Sequence, residues 1–310
     1  MNEFDVIGRL SSLLPPAPDE VVVPIGDDCA VVRIGGKTWA AASDMLIEGR
    51  HFKGWAAPED VGYKAVAVNA SDVAAMGGTP RFVLVSAAAP DPETALGVFG
   101  GMAEACREFG LYPLGGDTTG ADVIAVNVAI LGELEAEPIL RSGARPGHLL
   151  AVTGELGASA AGLLALEGGV EGFERLKGRL LRPRPRLGAG IAAARLGVGA
   201  MIDLSDGLAS DVRHVCGASG VGCAVDLDRL PVSDDTRELA AFLGRDPGAL
   251  AAGGGEDYEL LVSAPERVLS DLAETVEVPV TVVGKITESG IAFRRGNETV
   301  GDLSGWDHFA

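Results

Sequence analysis

Apolar positions in the first half of the chain alternate between helical and strand spacing. Residues 3–14 carry the pattern of a short amphipathic helix that stops at Pro15-Pro16. Three strand-like runs follow, Val21 to Val23, Ala30 to Ile34 and Thr38 to Ala42, and Gly35-Gly36-Lys37 predicts a hairpin between the last two. Residues 59–76 read as a helix that is apolar on nearly every side, ended by Gly77-Gly78 and Pro80. A strand is expected from Phe82 to Ala89, a helix from Pro92 to Phe109 and a strand from Val123 to Leu131.

The pattern breaks over residues 135–147, where Glu133 to Glu137 is polar and Ser142 to Gly147 is rich in turn residues. Domains are therefore expected at 1–137 and 138–310. In the second, strands are expected at His148 to Val152, Ala200 to Leu204, Tyr258 to Ser263 and Val280 to Gly284. Helices are expected at 157–167, 187–197, from Asp206 to Cys216 and at 266–274, with Arg179 to Arg186 an extended linker. Both halves mix helices with strands and no short-period repeat is visible, so the expected class is α+β.

Composition narrows the function. A chain of 310 residues exceeds what one core usually serves, and 47% hydrophobic with 22% charged residues is ordinary for a globular protein. A net charge of −19 argues against a nucleic-acid partner, since phosphate backbones are bound by Lys and Arg clusters. The four cysteines, Cys29, Cys106, Cys216 and Cys223, form no C-x-x-C pair and fit a reducing compartment. The first residues show no secretion signal, and the longest weakly polar stretch, Gly188 to Ile202, is too short to span a bilayer. A soluble cytoplasmic protein, with no membrane partner, is expected.

The chemistry is carried by short acidic segments: Gly26-Asp27-Asp28, Ser43-Asp44, Asn69-Ala70-Ser71-Asp72, Gly116-Asp117-Thr118-Thr119, Asp203-Leu204-Ser205-Asp206-Gly207, Ser210-Asp211 and Gly255-Glu256-Asp257. Most end an apolar run or abut a glycine, where a lone ionised carboxylate is costly to bury. Gathering them around hard divalent cations removes that cost, and such a site suits a nucleoside triphosphate. Asn69, Ser71 and Asp72 are indifferent helix formers in the middle of an apolar helix, with Asn69 and Asp72 on one face; either they cap another element or Asp72 is a ligand. Asp44 is expected at a strand end, and Gly115-Gly116 before Asp117 would let a phosphate approach. Ser205 and Asp206 are candidates either for a helix cap or for an anion site. Asp211 reads as a solvated helix residue, and of Asp257 and Glu259, alternating in a strand, one is expected to be exposed.

Two familiar nucleotide motifs fail. Gly36-Lys37-Thr38 imitates the end of a phosphate-binding loop, but Val31 stands where its first glycine belongs. The glycines at 188 and 190 follow a Pro/Arg linker instead of a strand. Among the histidines, His51 follows Asp44 closely enough to share its site, whereas His148 reads as structural and His214 as partly exposed.

Taken in order, these segments, together with Lys64 to Asp72, Arg141 to Gly147 and Gly254 to Leu260, closely resemble the thiamine-monophosphate kinase family of the aminoimidazole ribonucleotide synthetase superfamily. The resemblance spans essentially the whole chain. It implies a two-domain fold, an N-terminal α/β domain contributing to a dimeric β-barrel and a C-terminal α/β domain. It further implies a homodimer that phosphorylates thiamine monophosphate with ATP, using several Mg²⁺ ions. By the same match Asp27, Ser43, Asp44, Asp72, Asp117, Asp203 and Asp206 are expected at Mg²⁺. Gly116, Asp117, Arg141, Ser205 and Phe99 are expected at ATP, and His51, Glu256 and Trp306 at thiamine monophosphate. Ala42 stands where the family usually has a second hydroxyl, and Phe99 where it often has a Tyr.

The chemistry is coherent independently of the family. A phosphomonoester has a second pKa of about 6 and is largely dianionic at neutral pH, so its oxygen needs no general base. The reaction needs charge cancellation between two polyanions and in-line alignment, which carboxylate-held cations supply. Related alternatives are weaker. Selenophosphate synthetase would want a reactive Cys or selenocysteine with Lys near the N-terminus, and the hydrogenase-maturation dehydratase a C-terminal Cys. Aminoimidazole ribonucleotide synthetase fits the His51 and Glu256 segments less well. A non-catalytic nucleotide sensor would not be expected to keep a nearly complete set of carboxylates.

Overall fold

The computed structural model describes residues 3–301 together with 303 and 305, so Trp306 lies outside the described residues. Helix α1 (Glu3–Leu13) precedes Pro15-Pro16, and strands β1 (Val21–Val23) and β2 (Ala30–Ile34) follow. The hairpin turn holds Gly35 and Gly36, both at positive φ, and opens into β3 (Lys37–Ile47). This strand continues well past Ala42, so Ser43 and Asp44 lie inside it and not at its end. Next come α2 (Pro58–Ala75), β4 (Thr79–Ala89), α3 (Pro92–Phe109), β5 (Tyr112–Gly120) and β6 (Ala125–Leu134). Asp91 starts α3 by accepting the N–H groups of Glu93 and Thr94, and Gly110 ends it at φ 73°.

These strands form one sheet in the order β1-β2-β3-β6-β4-β5, antiparallel except for β4 with β5, which α3 connects. Burial alternates residue by residue along β6, because one face packs against α2. Val126, Val128, Val85 and Leu46 meet Val66, Ala70 and Val73 of the helix in that core. The opposite face is open and apolar: Met45 is 50%, Leu84 48% and Tyr112 67% exposed. The sheet does not close into a barrel within the chain.

The second sheet takes β7 (Leu149–Thr153), β8 (Ala200–Asp203), β9 (Gly222–Asp226), β10 (Leu260–Ala264), β11 (Val280–Thr287), β12 (Ile291–Arg295) and β13 (Glu298–Val300). Its order is β13-β12-β9-β11-β7-β10-β8, with only β12 and β9 parallel. Helices α4 (Ala158–Glu167), α5 (Glu174–Leu181), α6 (Leu187–Leu196), α7 (Leu208–Ser219), α8 (Asp234–Phe242), α9 (Pro247–Gly253) and α10 (Glu266–Thr275) complete this half. Helix α5 replaces the first part of the expected extended linker, leaving only Arg182 to Arg186 outside a helix. The two halves meet where α2 crosses α6. A Cβ on Gly190 would lie 2.1 Å from the Ala74 carbonyl oxygen, so the two backbones approach as closely as only glycine permits.

Candidate functional site

Helix α2 gathers the acidic segments. Its Asn69 Oδ1 accepts the main-chain N–H of Asp44 at 3.0 Å while Nδ2 donates to the Ala65 carbonyl at 2.9 Å, fastening β3 to the helix. Ser71 Oγ donates to Asp203 Oδ2 at 2.6 Å, bringing the end of β8 to the same helix. Asp72 follows, and carboxylate oxygens of Asp28, Asp72 and Asp203 lie within 4.8 Å of one another. Asn69 and Ser71 are tolerated in mid-helix because partners from both halves of the chain satisfy them.

Crowding like charges in a dry site shifts each carboxyl toward its protonated form. Burial pushes Asp72 well above the usual carboxylate range, and Asp44, Asp203 and Asp28 add to it. Burial, reinforced by Asp28, lifts Asp203 to about 8, against the opposing Ser71 bond. Asp28 is raised by burial and held back by Arg141, whose Nη2 sits 2.6 Å from Asp28 Oδ1. Burial disfavours the Arg141 charge, but Asp28 outweighs it and keeps the guanidinium cationic. The other oxygen, Asp28 Oδ2, is buried without a hydrogen-bond partner.

The residue beside it plays another part. Asp27 accepts the N–H of Asp28 at 3.0 Å and that of Arg141 at 3.1 Å, and burial followed by the Asp28 charge lifts it to about 6. Sequence reasoning named Asp27; the geometry groups Asp28, not Asp27, with Asp72 and Asp203. Residues 26–29 form a bend, so no period-two signal tells which of the two faces inward.

Asp117 and Ser43 stand elsewhere. Strands β6 and β4 separate β3 from β5, and the registers Met45–Asn127–Ser86–Asp117 and Ser43–Ala129–Leu84 put both residues on the open face. Asp44 lies on the α2 face. Asp117 accepts the N–H of Thr118 at 2.9 Å. Packing demands a glycine at 116, since a Cβ there would come within 1.6 Å of the Val85 carbonyl oxygen. Phe99 on α3 is half-buried against the first core. His51 Nδ1 accepts the Ile47 N–H at 3.0 Å at the end of β3.

The loop before β10 lies over the segment after β8. The Ser205 carbonyl accepts the Glu256 N–H at 2.7 Å, and a Cβ on Gly255 would be 2.5 Å from that oxygen. Glu256 adopts φ 65° and its Oε1 lies 2.7 Å from Nζ of Lys64, a buried lysine of α2 that sequence reasoning passed over. The available signal was a lysine in the middle of an all-round apolar helix.

Three expectations need correction. Asp211 is buried, 1% exposed, and not solvated; it groups with Asp206 and His214 within 4.8 Å. Asp257 and Glu259 precede the strand, and neither is exposed. Asp257 accepts the N–H groups of Gly157 and Ser159 at the start of α4, and burial pushes it up to about 7. Glu259 is buried against Arg186 and receives the Thr153 hydroxyl at 2.7 Å. Finally, Gly207 is the N-cap of α7 with no side-chain cap bond, so Ser205 and Asp206 do not cap that helix.

Buried Asp203 with half-buried Asp28 and Asp72, one of whose oxygens (Asp28 Oδ2) is orphaned, forms an all-oxygen donor set, which suits a hard cation such as Mg²⁺. Residues 26–134 match the family described as AIR synthase related protein, N-terminal domain, and residues 145–295 its C-terminal domain. A thiamine-monophosphate kinase of Escherichia coli K12 is 38% identical over 100% of this chain and 98% of its own. The solved structure of AaThiL complexed with AMPPCP and TMP superposes with a TM-score of 0.87 at 32% identity, covering 99% of this chain and 97% of that one. The thiamine monophosphate kinase of Aquifex aeolicus superposes at 0.81 with 30% identity, covering 97% and 99%. The chain belongs to the thiamine-monophosphate kinase family of AIR synthase related proteins.

Proposed function

We propose that this chain transfers the terminal phosphoryl group of ATP to thiamine monophosphate, giving thiamine diphosphate and ADP by direct in-line displacement. The observation that carries the reading is the convergence of Asp28, Asp72 and Asp203, from both halves of the chain, on one side of α2. A relative that superposes over nearly the whole chain was solved with AMPPCP and TMP, the pair of ligands such a reaction requires.

Asp28, Asp72 and Asp203, with Asp44 at the rim, would hold Mg²⁺, as would Asp27, Ser43, Asp117 and Asp206 from the expected set. Bound there, Mg²⁺ cancels charge between the two polyanions and sets their alignment. Arg141 adds a fixed positive charge beside the carboxylates, and Gly116, Asp117, Ser205 and Phe99 complete the nucleotide side. His51 and Glu256 face thiamine monophosphate, with Trp306 assigned there by resemblance. No side chain acts as an essential base, because the acceptor oxygen is already ionised at neutral pH.

The open apolar face of the first sheet supports a homodimer in which a second copy covers Met45, Leu84 and Tyr112 and closes the barrel. Asp117 lies on that face, away from Asp44, so the dimer also brings it to a shared site. The division at 137/138, with nucleotide and dimer contacts in the first part, belongs to this reading. So does a cytoplasmic location; no described helix is long and apolar enough to cross a membrane.

The test is ADP release with thiamine monophosphate, against free thiamine and aminoimidazole ribonucleotide precursors. Asp44→Asn, Asp72→Asn and Asp117→Asn should each lower turnover by about 10²-fold or more, with partial rescue by raised Mg²⁺. Full activity in all three refutes the site. Mixing inactive Asp44→Asn with inactive Asp117→Asn protein should restore activity if sites are shared between copies, and none if each chain works alone.

A further inference from the structure

We propose that the Tyr258 hydroxyl is a substrate contact, donating a hydrogen bond to a non-attacking phosphate oxygen of the acceptor between Glu256 and the carboxylate cluster. The inference rests on the phosphoryl-transfer reading and adds to it a residue that resemblance does not assign.

In the loop before β10 three successive side chains take different directions. Asp257 goes to the N–H groups that open α4, and Glu259 goes to Arg186 and the Thr153 hydroxyl. Tyr258, between them, is 8% exposed, yet its ring belongs to none of the apolar clusters that fill the two halves. Among the described residues its hydroxyl makes no hydrogen bond. Its N–H donates to the Leu204 carbonyl at 2.9 Å, and the Leu204 N–H donates to the Glu259 carbonyl at 2.8 Å. Those two bonds lay Tyr258 alongside the chain that leaves Asp203, two residues before Leu260, the register partner of Asp203. The carboxylates whose charges act on its hydroxyl are, in order, Glu256, Asp44, Asp203 and Asp72. The first is assigned to the acceptor and the other three to the cation, so the hydroxyl stands where the two sides meet.

Two costs accompany this placement. Tyr258 holds φ 50°, a left-handed conformation that is an outlier for an aromatic residue. A hydroxyl taken out of water without a partner is also unfavourable. Neither cost is repaid by a polar contact within the chain, and strain of this kind gathers where a ligand is bound. Burial, followed by the four negative charges, holds the phenol well above its ordinary range, so it stays a neutral donor. A neutral donor suits this position. Carboxylates repel a phosphate dianion, a cation serves the oxygens that face it, and a phenol can serve another. Tyr258 keeps its proton throughout and makes no covalent bond.

The experiment compares wild type with Tyr258→Phe as full chains, a change that removes one oxygen and keeps the ring and the backbone. ADP release gives KM for each substrate, urea denaturation gives stability, and ³¹P magnetic resonance reads the acceptor phosphate bound with Mg²⁺ and AMPPCP. Tyr258→Phe should raise KM for thiamine monophosphate by about tenfold or more, the effect of losing a hydrogen bond to a charged group. KM for ATP should stay within about twofold. The urea midpoint should not fall, because the hydroxyl bonds nothing in the free chain. The ³¹P resonance of the bound acceptor should move between the two proteins. An unchanged KM for thiamine monophosphate, an equal rise for ATP, a lowered urea midpoint or an unmoved resonance each overturns the contact. The two readings fail separately: a wild type that releases no ADP with thiamine monophosphate sinks phosphoryl transfer itself, whereas an active wild type matched by Tyr258→Phe sinks only Tyr258.

Discussion

Removing the ammonium of Lys64 tests whether α2 holds the loop of Glu256 in place. Lys64 and Ser71 are seven residues apart, two helical turns on one face, and each reaches the second half of the chain, at Glu256 and Asp203. The Lys64 side chain is 4% exposed and that of Glu256 27%, with Nζ to Oε1 at 2.7 Å. At an effective dielectric of about 20 that separation is worth roughly 6 kcal/mol before desolvation. Burying the lysine offsets most of it, and the partial exposure of Glu256 lowers it further, leaving a net coupling of about 1–3 kcal/mol. The loop needs the tether because Glu256 and Tyr258 both hold positive φ, a strain of about 1 kcal/mol or more each in residues with a Cβ. A double-mutant cycle with Lys64→Met and Glu256→Gln, read by urea denaturation, should return a coupling in that range. In the assay for ADP release, Lys64→Met should raise KM for thiamine monophosphate at least tenfold and leave KM for ATP within about twofold. Lys64→Arg should rescue poorly, because a guanidinium does not fit a slot so closed to solvent. A coupling below about 0.5 kcal/mol, or equal effects on both substrates, would falsify the tether.

Two further outcomes follow from the packing and the buried acids. Gly190→Ala places a Cβ 2.1 Å from the Ala74 carbonyl oxygen, so it should separate α6 from α2 and cost about 3 kcal/mol or more, measured by the urea midpoint. Asp257, raised from 3.8 to about 7, binds a proton in the folded protein at pH values where the unfolded chain has released it. Its contribution is therefore present below about pH 4 and is lost as pH rises to 7, at about 1.4 kcal/mol per unit. Compared with Asp257→Asn, wild type should lose relative stability between pH 5 and 7; a flat difference across that window refutes the assignment.

Much of the first half was legible because its periods are strong. The boundaries of α1, β1, β2 and α3 follow apolar spacing, prolines and glycines that act locally. Strand β5, by contrast, reads as a glycine-rich loop, Gly115-Gly116-Asp117-Thr118-Thr119, because its pairing with β4 comes from a close backbone approach that no hydrophobic period records. Strand β9 and helices α8 and α9 escaped for a similar reason: they are short, and tertiary contacts settle their identity. The reach of β3 to Ile47 was hidden because Ser43 and Asp44 look like a strand terminus, yet Asn127 donates to the Ser43 hydroxyl at 3.0 Å and Asn69 accepts from the Asp44 backbone.

The site shows where that limit lies. A carboxylate in an apolar segment advertises that it needs a partner, and this is why Asp72 and Asp203 could be picked out from sequence. It does not advertise which partner, so Asp211 reads as solvated and Glu259 as half of an alternating strand until the fold supplies their surroundings. Lys64 obeys the same logic with the opposite sign, an ammonium in an apolar helix whose carboxylate lies almost two hundred positions away. Seen this way, α2 is a selection of polar residues each assigned to a different segment: Lys64 to the loop before β10, Asn69 to β3, Ser71 to the end of β8. A helix whose Lys64, Asn69 and Ser71 are each bound by a distant segment cannot shift register without leaving the Lys64 ammonium and the Asp203 carboxylate unpaired. That constraint, more than any single hydrogen bond, is what keeps Asp72 of α2 beside Asp203 at the end of β8.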